Sequence, residues 1–349
     1  MDHDGDDMLE ADPTDRPRRS QLVRWSIGIA IGLVAAWVAV SAAGGLADAA
    51  SALRQLNAWW LLPAFLIEAA SYVVLGAKLR RLVGASVVTG VEAIEMGLVL
   101  SGFGLLTPAS PAEGIALTAA HLRNQNVTKR RITIIFGFSE WFSARVFLFV
   151  SAINLLAVLV IERSANLRFW PYASLAVVVI GLLAASGRLV ARPTTLERVS
   201  LIVGALRRPS RRRPVAERRA TGAAWYRESM EFVGTPRQRA AIAGLTAGAM
   251  LGDVSCLWFA LLAAGAHVGF DVALLAISVS AVSVLVPFIP GGIGIAEAAI
   301  PAVTHHFGVP YDLGLAAALA YRGLGTFLPA GLGAIAIWDL RRHVSTTSA

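Results

Sequence analysis

Hydrophobic residues in this chain run in blocks rather than alternating with polar ones. Stretches such as Trp25 to Gly45, Ile132 to Ile161 and Arg239 to Ala264 are apolar almost throughout. Crossing the hydrocarbon core of a bilayer takes roughly 20 apolar residues at about 1.5 Å rise each, and each block meets that length. A surface helix of a soluble protein would show an apolar stripe and a polar face. These blocks do not, and the pattern predicts full spans at about 24–44, 59–77, 132–160, 169–187, 240–264 and 313–338.

Lysine and arginine collect on the cytoplasmic side of spans, so their positions set the expected topology. Clusters lie at Arg16 to Arg24, Lys78 to Arg81, Arg123 to Arg131, Arg188 to Arg239, and at Arg341 and Arg342. The connections near Asp48 and Arg54, Glu162 to Arg168, His267 to Asp271, and Val309 to Asp312 are poor in positive charge and are expected to face outward. Both termini are then cytoplasmic, in a multi-pass protein of the cell membrane.

Two apolar regions are left over, about 91–120 and about 272–308, and each has flanks of one charge bias. Each must enter and leave through the same face. Both are broken at the middle by the same spacing, Pro108-Ala-Ser-Pro111 and Pro287-Phe-Ile-Pro290, the second followed by Gly291 and Gly292. Proline stops a helix by removing a donor and by steric clash. The limbs are too short to cross, so re-entrant hairpins are predicted, with pairs of tilted full spans as the alternative. The expected fold is an all-α integral membrane protein of six transmembrane helices plus two re-entrant helical hairpins.

An internal repeat is visible in the order of parts. Segments 59–160 and 240–338 each carry a span with a central acid (Glu68, Asp253), a Pro-x-x-Pro hairpin, and a span with a central arginine (Arg145, Arg322). The first starts outside and the second inside, which makes the repeat inverted, the build of many secondary transporters. Residues 1–22 and 344–349 read as tails around a membrane domain at 23–343, with a basic cytoplasmic loop at about 188–239.

Composition sharpens this picture. Hydrophobic residues make up 56% of the chain and charged residues 15%, the balance of a membrane protein. The one cysteine, Cys256, excludes an intramolecular disulfide and a cysteine-built metal centre. His3 among Asp2, Asp4, Asp6 and Asp7 resembles a metal loop only in composition, and His305 with His306 reads as interfacial. No metal or cofactor is expected, and no nucleotide-binding or hydrolase fingerprint occurs. The arginines between Leu206 and Arg239 suit an anionic inner leaflet better than nucleic acid.

Candidate chemistry lies where polar groups sit inside apolar blocks. Irregular backbone at membrane depth must face protein or a wet cavity, so Pro108, Pro111, Pro287, Pro290, Gly291, Gly292 and Gly294 are predicted to border one. Helix starts after Pro111 and Gly292 would aim their positive ends into it, a cradle for an anionic head group. Ionisable residues within spans cost about 2.5–3.5 kcal/mol each on insertion and face a bundle interior or pathway. Here these are Glu68, Glu113, Glu140, Arg145, Asp253, Glu297 and Arg322. Glu140 and Arg145 lie about 140° apart around a helix, so their partners are expected on other segments, Glu113 or Glu297. Arg145 and Arg322 are the candidate phosphate forks.

The run Pro290-Gly-Gly-Ile-Gly-Ile-Ala-Glu297, then Gly308-Val-Pro310 and Tyr321-Arg322, resembles the membrane domain of bacterial lysylphosphatidylglycerol synthases and their stand-alone flippase-like relatives. The layout of spans agrees over nearly the whole chain. The resemblance implies a module that moves a modified phospholipid, or a related anionic or polyprenyl-linked lipid, between leaflets. It extends the candidate site to Gly114 and Tyr321. The first half departs from the family pattern, with Leu117 and Thr118 beyond Pro111-Ala-Glu113-Gly114 and with Glu140-Trp-Phe-Ser-Ala-Arg145 on the next span. The synthases carry a soluble aminoacyl-transferase domain after the membrane region, whereas this chain ends at Ala349, so no enzymatic activity is expected of it. Lipid chemistry would need a partner enzyme at the cytoplasmic face. Two readings of other classes compete: a non-transporting scaffold that recruits such an enzyme through the basic loop, and a membrane transferase with Glu113 as base.

Overall fold

The computed structural model describes residues 44–103, 111–162, 176–185, 234–281 and 294–346, with isolated positions 37, 40, 41 and 174. All regular structure among them is helical. In chain order the helices are α1 (Leu46–Arg54), α2 (Ala58–Val83), α3 (Gly90–Leu98), α4 (Pro111–Asn124), α5 (Lys129–Glu162), α6 (Ala176–Ala185), α7 (Pro236–Ala263), α8 (Phe270–Ser280), α9 (Ile295–His306), α10 (Tyr311–Arg322) and α11 (Leu328–Thr346). Two π-helical stretches interrupt this order, Val99–Phe103 after α3 and Gly323–Phe327 between α10 and α11.

Among the described residues, three helices are long and apolar enough to cross a membrane: α2, α5 over Lys129–Leu159, and α7. They expose apolar side chains as a soluble protein would not: Leu62, Phe65 and Leu66 on α2, Phe149 and Ile153 on α5, Leu251 on α7. Such a surface is at rest only against lipid or another apolar phase.

The expected boundaries shift in places. The span expected at 59–77 runs on to Val83 and carries Lys78 inside the bundle. Asn57 accepts a hydrogen bond from the Trp59 amide and starts this helix. The span expected at 313–338 is not one α-helix, because the backbone widens into the π turn immediately after Arg322. Of the span expected at 169–187, Ala176–Ala185 is helical. Helix α11 runs on to Thr346, into the tail expected at 344–349. Most of the first expected span and of the basic loop, the N-terminal tail, Pro108, Pro287, Pro290, Gly291 and Gly292 lie outside the described residues.

The order of described helices in 58–162 is similar to that in 236–346: a long helix, two shorter ones, and a long helical run. The four limbs, α3, α4, α8 and α9, have 9, 14, 11 and 12 residues.

The two lead helices, α2 and α7, form the most extensive pair in the structure. They run antiparallel. The Asn57 amide donates to the Ala263 carbonyl at 2.8 Å, Trp60 stacks on Phe259, Gly252 packs against Ser71, and Gly248 against Val74. The approach at Gly252 is so close that a Cβ there would collide with the Ser71 hydroxyl.

Each unit has its own apolar core. Leu79, Leu82, Met96, Leu122 and Ile135 centre the first, and Leu257, Leu261, Leu275 and Ile300 the second. Helix α5 crosses over to the second core with Leu155 and Val158. There Ser151 hydrogen-bonds Ser278, and the Asn154 amide donates to the Asp271 carbonyl. The π stretches touch one another, joining the two units at a second place.

Candidate functional site

A stripe of polar residues runs along α2 at helical spacing, Glu68, Ser71, Tyr72 and Lys78, with the apolar Leu75 among them. Positions three and four apart share a helix face, so one side of an otherwise apolar span is wet. Helix α7 answers with Thr246, Ala249, Met250 and Asp253, and α5 with Glu140, Ser143 and Phe147. These faces enclose a cavity of about 420 Å³, completed by Ser101 from the first π stretch, Tyr321 and Arg322 from α10, and Gly325 and Thr326 from the second. Both units therefore build it. Its size falls in the range of about 300–1,000 Å³ typical of small-molecule sites.

Hydrogen bonds fix the walls. The Tyr321 hydroxyl donates to Asp253 Oδ1 at 2.8 Å, and the Tyr72 hydroxyl donates to the Gly325 carbonyl at 3.2 Å. Lys78 Nζ donates to Ser143 Oγ at 3.0 Å, tying α2 to α5. The Lys78 side chain is buried, and Glu140 lies across the cavity from it.

Arg322 and Glu297 form the firmest contact at the site. Nε donates to Oε1 at 3.0 Å, with both side chains about nine-tenths buried. The other carboxylate oxygen, Oε2, accepts the Gly294 amide at 2.7 Å and caps the start of α9. Gly294 has φ +90°, a conformation that a side chain would strain, and this turn aims its amide at Glu297. One carboxylate thus clamps the beginning of α9 to the end of α10.

The predicted site residues are only partly brought together. Glu140, Tyr321 and Arg322 line the cavity, and Glu297 stands behind Arg322. Arg145 does not line it: its guanidinium lies over the Trp141 ring, 5.1 Å from the centroid. The five-residue offset from Glu140 turns it to another face of α5. Pairing of Arg145 with Glu297 is corrected, since Glu297 is held by Arg322 and Gly294. At the start of α9 the Glu297 carboxylate takes one of the amides of the predicted anion cradle, that of Gly294. Helix α4 starts at Pro111, with Gly114 buried and its carbonyl accepting the Thr118 hydroxyl; the Glu113 side chain lies outside the described residues.

Lys78 and the hydroxyls of Ser71, Tyr72, Ser143, Thr246 and Thr326 were missed as site residues. Lys78 reads in sequence as the edge of a basic cluster, yet its spacing of ten residues from Glu68 completes the same face, a signal present in the stripe itself.

Apolar helices packed around a polar, charged interior define an all-helical multi-pass membrane protein. Residues 25–333 match the family described as the lysylphosphatidylglycerol synthase TM region. The match takes in most of the 349 residues, and the chain belongs to this family. A search of curated proteins returned no match.

Proposed function

We propose that this protein binds the head group of an anionic, phosphate-bearing lipid in the cavity between its two units and passes the lipid from one leaflet to the other. The observation that carries this reading is the cavity itself: polar and charged side chains from both repeats converge there, inside a bundle whose outer surface is apolar. A polar head group travelling through the bilayer needs such a path. Arg322 and Lys78 supply positive charge and the hydroxyls supply hydrogen bonds, while the Glu297 clamp holds Arg322 in place. Family membership supports a lipid as the cargo.

In this reading each unit contributes full spans and a re-entrant hairpin, giving six spans and two hairpins in a cell membrane with both termini cytoplasmic. The antiparallel packing of α2 on α7 supports opposite insertion of the two units. The chain acts without chemistry of its own, and any modification of the lipid falls to a partner enzyme at the basic cytoplasmic face.

The test is leaflet-to-leaflet movement of a fluorescent phosphatidylglycerol in vesicles holding the purified protein, read by quenching of the outer leaflet. Arg322→Gln and Lys78→Met are expected to slow movement at least tenfold. If both variants fold normally and move lipid as fast as the parent, the cavity is not the path.

A further inference from the structure

Glu68 and Asp253 stand level with one another. In the antiparallel register set by Asn57 against Ala263, Trp60 against Phe259 and Ser71 against Gly252, Glu68 falls opposite Asp253. Both line the cavity. Asp253 has a partner in the Tyr321 hydroxyl. Glu68 is 6% exposed, and its Oε2 is buried with no hydrogen-bond partner.

The groups around this pair answer its charge only in part, through Arg322 near Asp253. From α7 come Asp253 and Cys256, whose thiol hydrogen-bonds Glu68. From α10 come Tyr321 and Arg322, the latter already on Glu297. The second π stretch presents Gly325 and Thr326, and α2 itself presents Ser71 and Tyr72. Across the cavity are Lys78, Ser143 and Ser101, with Glu140 facing Lys78. Among the described residues, two cations, Lys78 and Arg322, therefore meet four acids, Glu68, Glu140, Asp253 and Glu297. An arriving phosphate would add a further negative charge to an acid-rich cavity between apolar walls, where unbalanced charge is costly.

We propose that Glu68 and Asp253 together bind one proton as the head group arrives, so that lipid binding is linked to proton uptake. The inference rests on the lipid reading above. The proton comes from bulk water and settles on the pair, with Glu68 Oε2 as its acceptor. That atom then changes from a buried acceptor without a partner to a neutral O–H, and the pair meets the incoming phosphate with one negative charge fewer. When the lipid leaves, the proton returns to water. Two interacting carboxyls titrate as one unit, which suits a single-proton exchange.

The experiment is calorimetric titration of the purified full chain with short-chain phosphatidylglycerol at several pH values from about 6 to about 9, each in two buffers of different ionisation enthalpy, so that part of the series starts with the pair ionised. The difference in apparent heats gives the number of protons taken up per lipid bound. The parent protein is expected to take up about one proton. Glu68→Gln is expected to bring the count close to zero, whatever affinity remains, and Asp253→Asn serves as the second variant should the first fail to fold.

A parent protein that binds the lipid with no proton exchange overturns the inference and leaves the lipid reading standing. So does a wild-type count in folded Glu68→Gln and Asp253→Asn. Binding without proton uptake that requires sodium would assign the pair to an alkali cation instead. Failure of the parent to bind the lipid in either buffer overturns both readings.

Discussion

Separating Glu297 from Arg322 is the sharpest perturbation the structure offers. The two charges meet at 3.0 Å between Nε and Oε1, with both side chains about nine-tenths buried. At an effective dielectric of about 20 their attraction is about 5 kcal/mol. Removing one partner leaves the other buried and uncompensated, at a cost of about 3–5 kcal/mol. Glu297→Gln isolates the charge, because an amide oxygen can still accept the Gly294 amide and keep the cap. Glu297→Ala removes the cap as well and is expected to cost a further 0.5–2 kcal/mol or so. Arg322→Met takes away the cation at similar volume. In the double variant no charge is stranded, so its cost should fall well short of the two single costs added, by about 2–3 kcal/mol. Reversible unfolding in mixed micelles, followed by circular dichroism, gives the four free energies. If the single costs add to within about 0.5 kcal/mol, the two side chains do not act as a pair, and the clamp between α9 and α10 is refuted.

Gly252→Leu should push α7 away from α2, because the space is taken by Ser71 and Ile67; a loss of stability of about 1–3 kcal/mol is expected, and unchanged unfolding would refute the close approach. Tyr321→Phe removes the donor to Asp253 at 2.8 Å and should cost about 1–3 kcal/mol in the same assay; a neutral result would mean the contact is absent. Arg145 stacks on Trp141 away from the cavity, so Arg145→Gln is expected to leave lipid movement within about twofold of the parent and to cost at most about 2 kcal/mol of stability. A tenfold loss of transport in folded protein would bring Arg145 back into the path. Gln125 and His267 lie at opposite ends of the α2–α7 pair and are exposed, so single cysteines there should react with an impermeant maleimide from opposite faces of the membrane. Labelling of both from one face would sink the inverted insertion.

Much of the architecture is written in the chain because hydrophobic length is a local property. A run of apolar residues long enough to span a bilayer declares itself without reference to any neighbour, and α2, α5 and α7 lie where such runs were read. Glu140, Arg322 and Glu297 stood out because charge inside an apolar run has few explanations, while Tyr321 came from the family resemblance.

Partnership was decided only by the tertiary structure. Glu297 and Arg322 are 25 residues apart, and nothing in their spacing says that they meet while Arg145 turns to Trp141. Lys78 looked like a topology marker until α2 continued to Val83 and packed it on Ser143. The facing of Glu68 on Asp253 depends on the register of two helices, which close approach at Gly252 fixes. A sequence specifies which residues are too polar for lipid. Which of them answer one another is set by helix rotation and register, and those follow from packing between segments far apart in the chain.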